Sequence, residues 1–286
     1  MSGHDVIGDL HGHAEQLHQL LDKLDYAEGN GFRHPDGRRA VFTGDFINRG
    51  SDDGEVLRVV RTMMESGAAL AVLGNHEFHL LETILLEGED IEPPEECRPH
   101  LDWLRSLPLS LETDALRVVH ATWHPPSLKV VAGRTCQDEN FLRASAAKGT
   151  PEHKAAQILL RGIKVPFPRD KTYRDRFGVA RNKARIRWWL DPTGKSYADL
   201  LFPSYAGAPE YIGPPASSLM DVVPYSKKEK PVFLGHYCLP PSEPKTHGNV
   251  ACVDGCVTCD KILWAYRHNG EQTLDPSHLI YAGPEA

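Results

Sequence analysis

Val6-Ile7-Gly8-Asp9-Leu10-His11-Gly12 decides the fold: an apolar strand breaks at a glycine and delivers a carboxylate and an imidazole three residues apart or less. The same design recurs twice. Ala40-Val41-Phe42-Thr43 runs into Gly44-Asp45-Phe46-Ile47-Asn48-Arg49-Gly50, and Leu70-Ala71-Val72-Leu73 runs into Gly74-Asn75-His76-Glu77. Helical periodicity follows each break, through Ala14, Leu17, Leu20, Leu21 and Leu24, then Val56, Val59, Val60, Met63 and Met64, then Leu80, Leu81, Ile84 and Leu85. Such βαβαβα alternation implies a parallel sheet covered by helices. Ligands gather at the carboxyl ends of the strands in an open α/β sheet. Asp9, His11, Asp45, Asn75 and His76 are therefore expected in one crevice.

Beyond Leu85 the rhythm changes. Glu82 to Glu96 holds seven acidic residues, no basic ones and Pro93-Pro94, and reads as a solvated loop. A helix through Leu101 and Leu104 ends near Pro108, after which Leu109 to Leu111 can pair with Leu116 to Val119. Residues 121–230, rich in Pro, Gly and basic side chains, read as an inserted cap with short helices around Phe141 and Ile158. Strands return at Val232 to Leu234, Val250 to Val253 and Ile262 to Tyr266. Two of the later apolar runs again end in a metal-capable residue, Val118-Val119-His120 and Phe233-Leu234-Gly235-His236.

Carboxylates, imidazoles and an amide make a mixed N/O donor set, which suits Mn²⁺, Fe or Zn²⁺ rather than a soft-metal thiolate cage. A carboxylate shared by two ions holds them roughly 3.5–4 Å apart, the two-metal arrangement for in-line displacement at phosphorus. One Gly-Asp or one strand-end histidine is commonplace. Five such features in order are hard to reconcile with packing alone.

Together these segments resemble the calcineurin-like metallophosphoesterases, particularly the phosphoprotein phosphatase branch and the bacterial diadenosine tetraphosphatases. The family signature is GDxHG, GDxxDRG and GNHE, then two separate histidines. Trp188-Trp189-Leu190-Asp191-Pro192 and Ala251-Cys252-Val253-Asp254 also look like segments of that branch. The resemblance implies a four-layer α/β/β/α sandwich formed by residues 1–120 and 231–286, with 121–230 packed on it as a single catalytic unit. It implies that Asp9 and His11 bind a first metal, that Asp45 bridges, and that Asn75, His120 and His236 bind a second. Manganese is the first expectation, with Fe, Zn, Co and Ni as alternatives. Arg49 would hold the phosphate, His76 would protonate the leaving oxygen, and a hydroxide between the metals would attack phosphorus directly.

Two positions depart from the pattern. Asn48 stands where the family has an aspartate that orients the GNHE histidine; an amide can hold an imidazole but cannot stabilise an imidazolium by charge. Ala121-Thr122 replaces a glycine pair after His120, a change expected to reshape the pocket beside the second metal.

With 286 residues, 41% hydrophobic, 25% charged and a net charge of −7, the chain falls outside the disordered, collagenous and coiled-coil classes. No run approaches the roughly 18 apolar residues of a membrane span. No signal peptide opens the chain, and six sparse cysteines fit a reducing compartment, so a cytoplasmic location is expected. Charge is uneven: fifteen Lys/Arg face five Asp/Glu between Ala121 and Leu190, leaving +10 there and −17 elsewhere. That asymmetry favours an anionic substrate, with Arg161 and the run Arg174, Arg176, Arg181, Lys183, Arg185, Arg187 as candidates for a second phosphate clamp. The net charge and the lack of a groove-reading motif argue against nucleic acid.

The spacing of Cys252, Cys256 and Cys259, with His247 as a fourth ligand, could hold zinc. Buried reduced thiols are the plainer reading, as is packing for Cys238. Trp188 and Trp189 read as core residues before base-stacking ones. The expected function is hydrolysis of phosphate monoesters, on a small molecule, a nucleotide or a phosphoprotein. Hydrolysis of diadenosine tetraphosphate is the alternative, and a catalytically weak metal-binding regulatory protein the second.

Overall fold

A computed structural model describes residues 3–88, 91–166, 172–195, 197–202 and 225–284. In chain order its strands are β1 (His4–Ile7), β2 (Arg39–Phe42), β3 (Ala69–Ala71), β4 (Ser110–Glu112), β5 (Arg117–Val119), β6 (Lys164–Pro166), β7 (Tyr173–Arg174), β8 (Ala180–Arg181), β9 (Lys183–Ile186), β10 (Leu201–Phe202), β11 (Val232–Leu234), β12 (Thr246–His247), β13 (Val250–Cys252), β14 (Leu263–His268) and β15 (Leu279–Ala282). Its helices are α1 (Ala14–Lys23), α2 (Asp53–Glu65), α3 (Asn75–Glu87), α4 (Leu101–Ser106), α5 (Pro125–Val131), α6 (Glu139–Ala146), α7 (Pro151–Arg161), α8 (Tyr197–Leu200) and α9 (Val257–Asp260).

Two five-stranded sheets form the core, in the orders β15-β14-β1-β2-β3 and β12-β13-β11-β5-β4. β1, β2 and β3 run parallel, as the alternation requires, and so do β5, β11 and β13. Side chains alternate across a strand, so each sheet has two apolar faces. Val6, Val41, Val118, Phe233, Ala251 and Tyr266 pack between the sheets, while Ile7, Ala40 and Phe42 turn outward onto the helices. α1 supplies Leu17, Leu20 and Leu21 to that outer layer, and α2 supplies Val56, Val59, Val60 and Met63. Fully burying a side chain of this kind is worth roughly 1.5–3 kcal/mol. The fold is thus the four-layer α/β/β/α sandwich, and it brings five strand ends to one edge.

Local signals set the helix starts. Asp52 caps α2 by accepting the Glu55 N–H at 2.9 Å, and Thr150 caps α7 by accepting the His153 N–H at 3.1 Å, with Pro151 in its first turn. Acidic composition misled at Glu82 to Glu96: α3 continues to Glu87, because Leu81 is buried and Leu80 and Leu85 pack on the core at helical spacing. β12 and β15 are short edge strands fixed by antiparallel register with β13 and β14 rather than by sequence pattern. Among the described residues no helix is long and apolar enough to cross a membrane.

Between residues 121 and 230, α5, α6 and α7 lie together. β10, β9 and β6 form a small antiparallel sheet, and β7 and β8 form a hairpin. Trp188 and Trp189 are buried there with rings 6.0 Å apart, as core residues; Trp188 donates to the Ala121 carbonyl at 3.0 Å.

Candidate active site

β1, β2, β3, β5 and β11 each hand their last residues to a turn at the same edge, and these turns meet. Asp9 joins the two sheets: one oxygen accepts from Thr43 Oγ1 at 3.1 Å, the other from the His236 N–H at 2.8 Å. Asp45 sits at the centre. Its Oδ1 accepts the His76 N–H at 2.9 Å, and its Oδ2 lies 3.6 Å from His11 Nε2 and 3.4 Å from His120 Nε2. His120 Nε2 is also 3.3 Å from Asn75 Oδ1.

Both imidazoles are held by their other nitrogen. His11 Nδ1 donates to the Ile47 carbonyl at 3.1 Å and His120 Nδ1 to the Thr43 carbonyl at 2.8 Å. A carbonyl partner fixes a proton on Nδ1 and aims Nε2 into the crevice, where a metal would take the place of any Nε2 proton. His236, its ring 5.0 Å from that of His120, has a buried Nε2 without a hydrogen-bond partner among the described residues. Such an orphan is costly unless something binds it.

The backbone is bent to achieve this. His11, Asp45, Asn48, Arg49 and His236 have φ of 45°, 56°, 71°, 78° and 66°. Left-handed non-glycine residues cost on the order of 1–3 kcal/mol each and cluster at functional sites. Glu77, fully buried, offsets part of the cost: its carboxylate accepts the N–H groups of Asp45, Phe46, Ile47 and Gly74 at 2.7–3.2 Å. Asp53 holds the Asn48 N–H with both oxygens at 2.9 Å. Two glycines permit close approach: a Cβ at Gly235 would collide with the Asp9 carboxylate, and one at Gly74 with Asp45.

Charge inside the crevice is short of cations. Burial and then the neighbouring Asp254 push Asp9 well above the usual carboxylate range. Burial opposes ionisation of Asp45 too, but His120 outweighs it and holds that carboxyl well below. Burial would lower His120, yet Asp45 and Asp9 raise it to about 10. His236 is driven well down by burial and then by Arg185. Buried carboxylates, the imidazoles of His11 and His120, an amide oxygen and the orphaned Nε2 of His236 fit divalent cations, and two groups, His11–Asp45–His76 and Asp45–His120–His236, have converging donor atoms.

Burial pushes His76 down to about 4, with Asp45 opposing and His11 and Arg49 adding to the fall. Asn48 Nδ2 donates to His76 Nδ1 at 3.0 Å. Arg49 is exposed at the rim, its guanidinium 4.2 Å over the ring of Phe177 in the β7–β8 turn. That hairpin is pinned by a fork from Arg176 to Asp260 at 2.7 and 2.8 Å. Beyond Arg49 lies an open cavity of about 670 Å³, lined also by His13, Ser51 and Lys261. The nine residues given a role by the family signature, Asp9, His11, Asp45, Asn48, Arg49, Asn75, His76, His120 and His236, therefore lie at one edge of the sandwich. Ala121 and Thr122 form a buried wall beside it, with both N–H groups directed to the Leu159 carbonyl.

Glu77, Asp254, Thr43 and Phe177 were not assigned from sequence. Glu77 carried a usable signal, an acid at the third position of a helix behind a glycine; Phe177 carried none. The cysteine reading needs correction. Cys238 and Cys256 form a disulfide, because both backbone N–H groups hang on the Asp254 carboxylate, at 2.5 and 2.7 Å, which brings two distant turns together. Cys259 is the third sulfur near them, whereas Cys252 is a buried free thiol, so the Cys252-Cys256-Cys259-His247 zinc arrangement is not formed.

A family model described as calcineurin-like phosphoesterase matches residues 5–240. Relatives are bis(5'-nucleosyl)-tetraphosphatases. The asymmetrical PrpE enzyme of Halalkalibacterium halodurans is 45% identical over 73 residues, 25% of this chain and 30% of that protein. The chain thus spans about a third of that relative's length. The symmetrical enzyme of Haemophilus influenzae is 26% identical over 269 residues, 88% of each chain. Among solved structures, a Saccharomyces cerevisiae protein serine/threonine phosphatase with similarity to human PP5 aligns over all of this chain and 81% of its own. Its TM-score is 0.50 at 15% identity, a likeness of fold.

Proposed function

We infer that this chain, which belongs to the calcineurin-like phosphoesterases and is a metal-dependent phosphoester hydrolase, cleaves dinucleoside polyphosphates such as diadenosine tetraphosphate. The observation that carries the substrate class is the Asn48–His76 pair. With the amide Nδ2 as donor, His76 Nδ1 is an acceptor and the imidazole carries its one proton on Nε2. A neutral partner gives an imidazolium no charge stabilisation, so His76 stays uncharged and acts as a hydrogen-bond donor rather than a proton donor. Expulsion of an alkoxide needs strong protonation, whereas a nucleoside polyphosphate leaves from an anhydride already stabilised as an anion. The tetraphosphatase relatives support the same reading.

Asp9, His11, Asp45, Asn75, His120 and His236 would hold two divalent ions, with manganese as our assignment. When bound, they supply Lewis acidity at the phosphoryl oxygens and a template for in-line displacement. Arg49 then receives the phosphate on a bidentate fork, which matches two phosphoryl oxygens. Its stacking on Phe177 holds the guanidinium at the rim, where phosphate enters. His76 donates a hydrogen bond from Nε2–H to the departing oxygen, which leaves as an anion, and Asn48 keeps the ring in that tautomer. Residues 121–230 act in this account as an insertion that recognises the rest of the substrate.

Phosphate monoester hydrolysis is the second reading, favoured by the exposure of Asn48 and Arg49 at an open rim. Parallel assays of manganese-loaded protein on diadenosine tetraphosphate, an aryl phosphate and a phosphopeptide decide between them. The inference expects the tetraphosphate to have the highest kcat/KM. Preference for either monoester overturns it.

A further inference from the structure

The small sheet beside the site carries an arrangement that neither packing nor the chemistry above uses. β6 and β9 pair antiparallel with Lys164 directly opposite Arg185. One face of this ribbon is apolar: Val165, Ala184 and Ile186 are buried in the core. The other face presents Lys164, Lys183 and Arg185, since alternate residues of a strand share a side. Like charges placed directly across a strand pair destabilise it.

A carboxylate would be the ordinary remedy, and three other cations of the basic segment have one. Arg176 pairs with Asp260, Arg181 with Asp175 at 2.7 Å, and Arg187 approaches Glu243 at 3.9 Å. Among the described residues Arg161, Lys164, Lys183 and Arg185 have no carboxylate at salt-bridge distance; Arg185 Nε reaches only the Arg161 carbonyl, at 3.4 Å. Partial burial and then Arg185, Arg161, Arg181 and Lys183 lower Lys164 to about 8.

The ribbon also borders the crevice. Tyr237, the neighbour of His236, donates its hydroxyl to the Ile186 carbonyl at 2.9 Å, and a Cβ at Gly162 would meet both that hydroxyl and the Arg185 side chain, at 3.0 and 3.6 Å. A cavity of about 190 Å³ opens on the same flank, lined by Lys154, Gln157, Gly162 and Lys164.

We propose that the cationic face of the β6–β9 ribbon, made by Lys164, Lys183 and Arg185 with Arg161 beside it, is a subsite for the phosphate chain beyond the phosphorus under attack. An oligophosphate of three or more phosphates supplies the counter-charge that the described residues do not, and reaches the ribbon from the His236 side of the site. A lone phosphate group held at Arg49 does not. The proposal rests on the polyphosphate reading above and selects between long and short anionic substrates.

Lys164→Gln, Lys183→Gln and the double variant test it in the manganese-loaded protein. The ratio of kcat/KM for diadenosine tetraphosphate to that for an aryl phosphate should fall about tenfold for each lysine, the size of one charge-assisted hydrogen bond. The fall should lie mainly in KM, and neither substitution should lower the melting temperature, since each relieves like-charge crowding. In a second arm, magnesium tripolyphosphate competes with aryl phosphate turnover. Its Ki should rise about tenfold in each single variant while that of orthophosphate stays constant. If diadenosine tetraphosphate proves not to be a substrate, the function above fails, and the tripolyphosphate arm still decides the subsite. Unchanged Ki values overturn the proposal. So does a melting temperature lowered in both variants with both Ki values rising together, or tighter competition by a single-stranded oligonucleotide than by tripolyphosphate.

Discussion

Asn48 Nδ2 donates to His76 Nδ1 at 3.0 Å, so a neutral amide, next in the chain to Arg49, holds the imidazole. The geometry of an orienting contact is kept while its charge is removed. Restoring the charge should restore the protonated, proton-donating form of His76. In Asn48→Asp the carboxylate would accept from Nδ1–H and stabilise the imidazolium, raising the His76 pKa from its depressed value near 4. Turnover of an alkyl phosphate should rise about tenfold and that of an aryl phosphate about twofold, a fraction of what general acid catalysis can supply. Equal effects on both esters would contradict the role given to His76.

Glu77 should prove the main support of the crevice. Its buried carboxylate holds four N–H groups around the left-handed Asp45, and an amide in its place brings N–H toward N–H. Glu77→Gln should cost about 3 kcal/mol in urea unfolding and weaken manganese binding measured by calorimetry. Wild-type values for both would show that the turn holds its shape unaided.

At the far end of β14, Glu271 gives stability a pH dependence. Burial alone would raise its pKa, but hydrogen bonds from Tyr266, the backbone and His278 outweigh this and hold it at about 2 against an ordinary 4.5. A depressed carboxyl stabilises the fold above its unfolded pKa, and that contribution is lost as pH falls from 4.5 toward 2. Glu271→Gln should therefore unfold at lower urea than wild type at pH 7, with the gap closing near pH 2. A gap independent of pH would assign the loss to packing instead.

The Cys238–Cys256 disulfide, two residues beyond His236, closes a loop with a sequence separation of 18. Closing a loop of that length stabilises by about 3 kcal/mol. Reduction by dithiothreitol should lower the melting temperature by several degrees, and Cys238→Ser should match the reduced protein. In a reducing compartment the pair would be held as thiols. An unchanged melting temperature together with two extra titratable thiols in the untreated protein would show that the bond does not form.

Much of this was legible in the sequence where the signal was local. Each of the three glycine-broken strands carries its own period and its own polar residues, so β1, β2, β3 and their helices follow from neighbours a few positions apart. His120 and His236 were legible because each ends an apolar run. What failed to show depends on partners far along the chain. Cys238 meets Cys256 only through Asp254, β15 exists only by register with β14, and Phe177 reaches Arg49 only because Arg176 anchors its hairpin to Asp260. Acidic composition hid the end of α3, whose apolar face outweighs the cost of its charged surface. The cations of β6 and β9, without a carboxylate among the described residues, lay in a run of arginines and lysines that sequence could not sort, since pairing is decided by tertiary neighbours.

Asp45 is the residue on which the account turns, because it faces His11 and His120 with one oxygen and holds the His76 backbone with the other. The most direct measurement follows nucleotide release from diadenosine tetraphosphate by metal-stripped protein reloaded with manganese, beside Asp45→Asn treated alike. The account predicts turnover that requires the metal and falls by a thousandfold or more in the variant, on the order of what a metal-centred step contributes. Turnover that survives both chelation and the substitution would contradict it. Two tightly bound ions with no turnover on any phosphate ester would contradict it too, and would leave a metal-binding regulatory protein in its place.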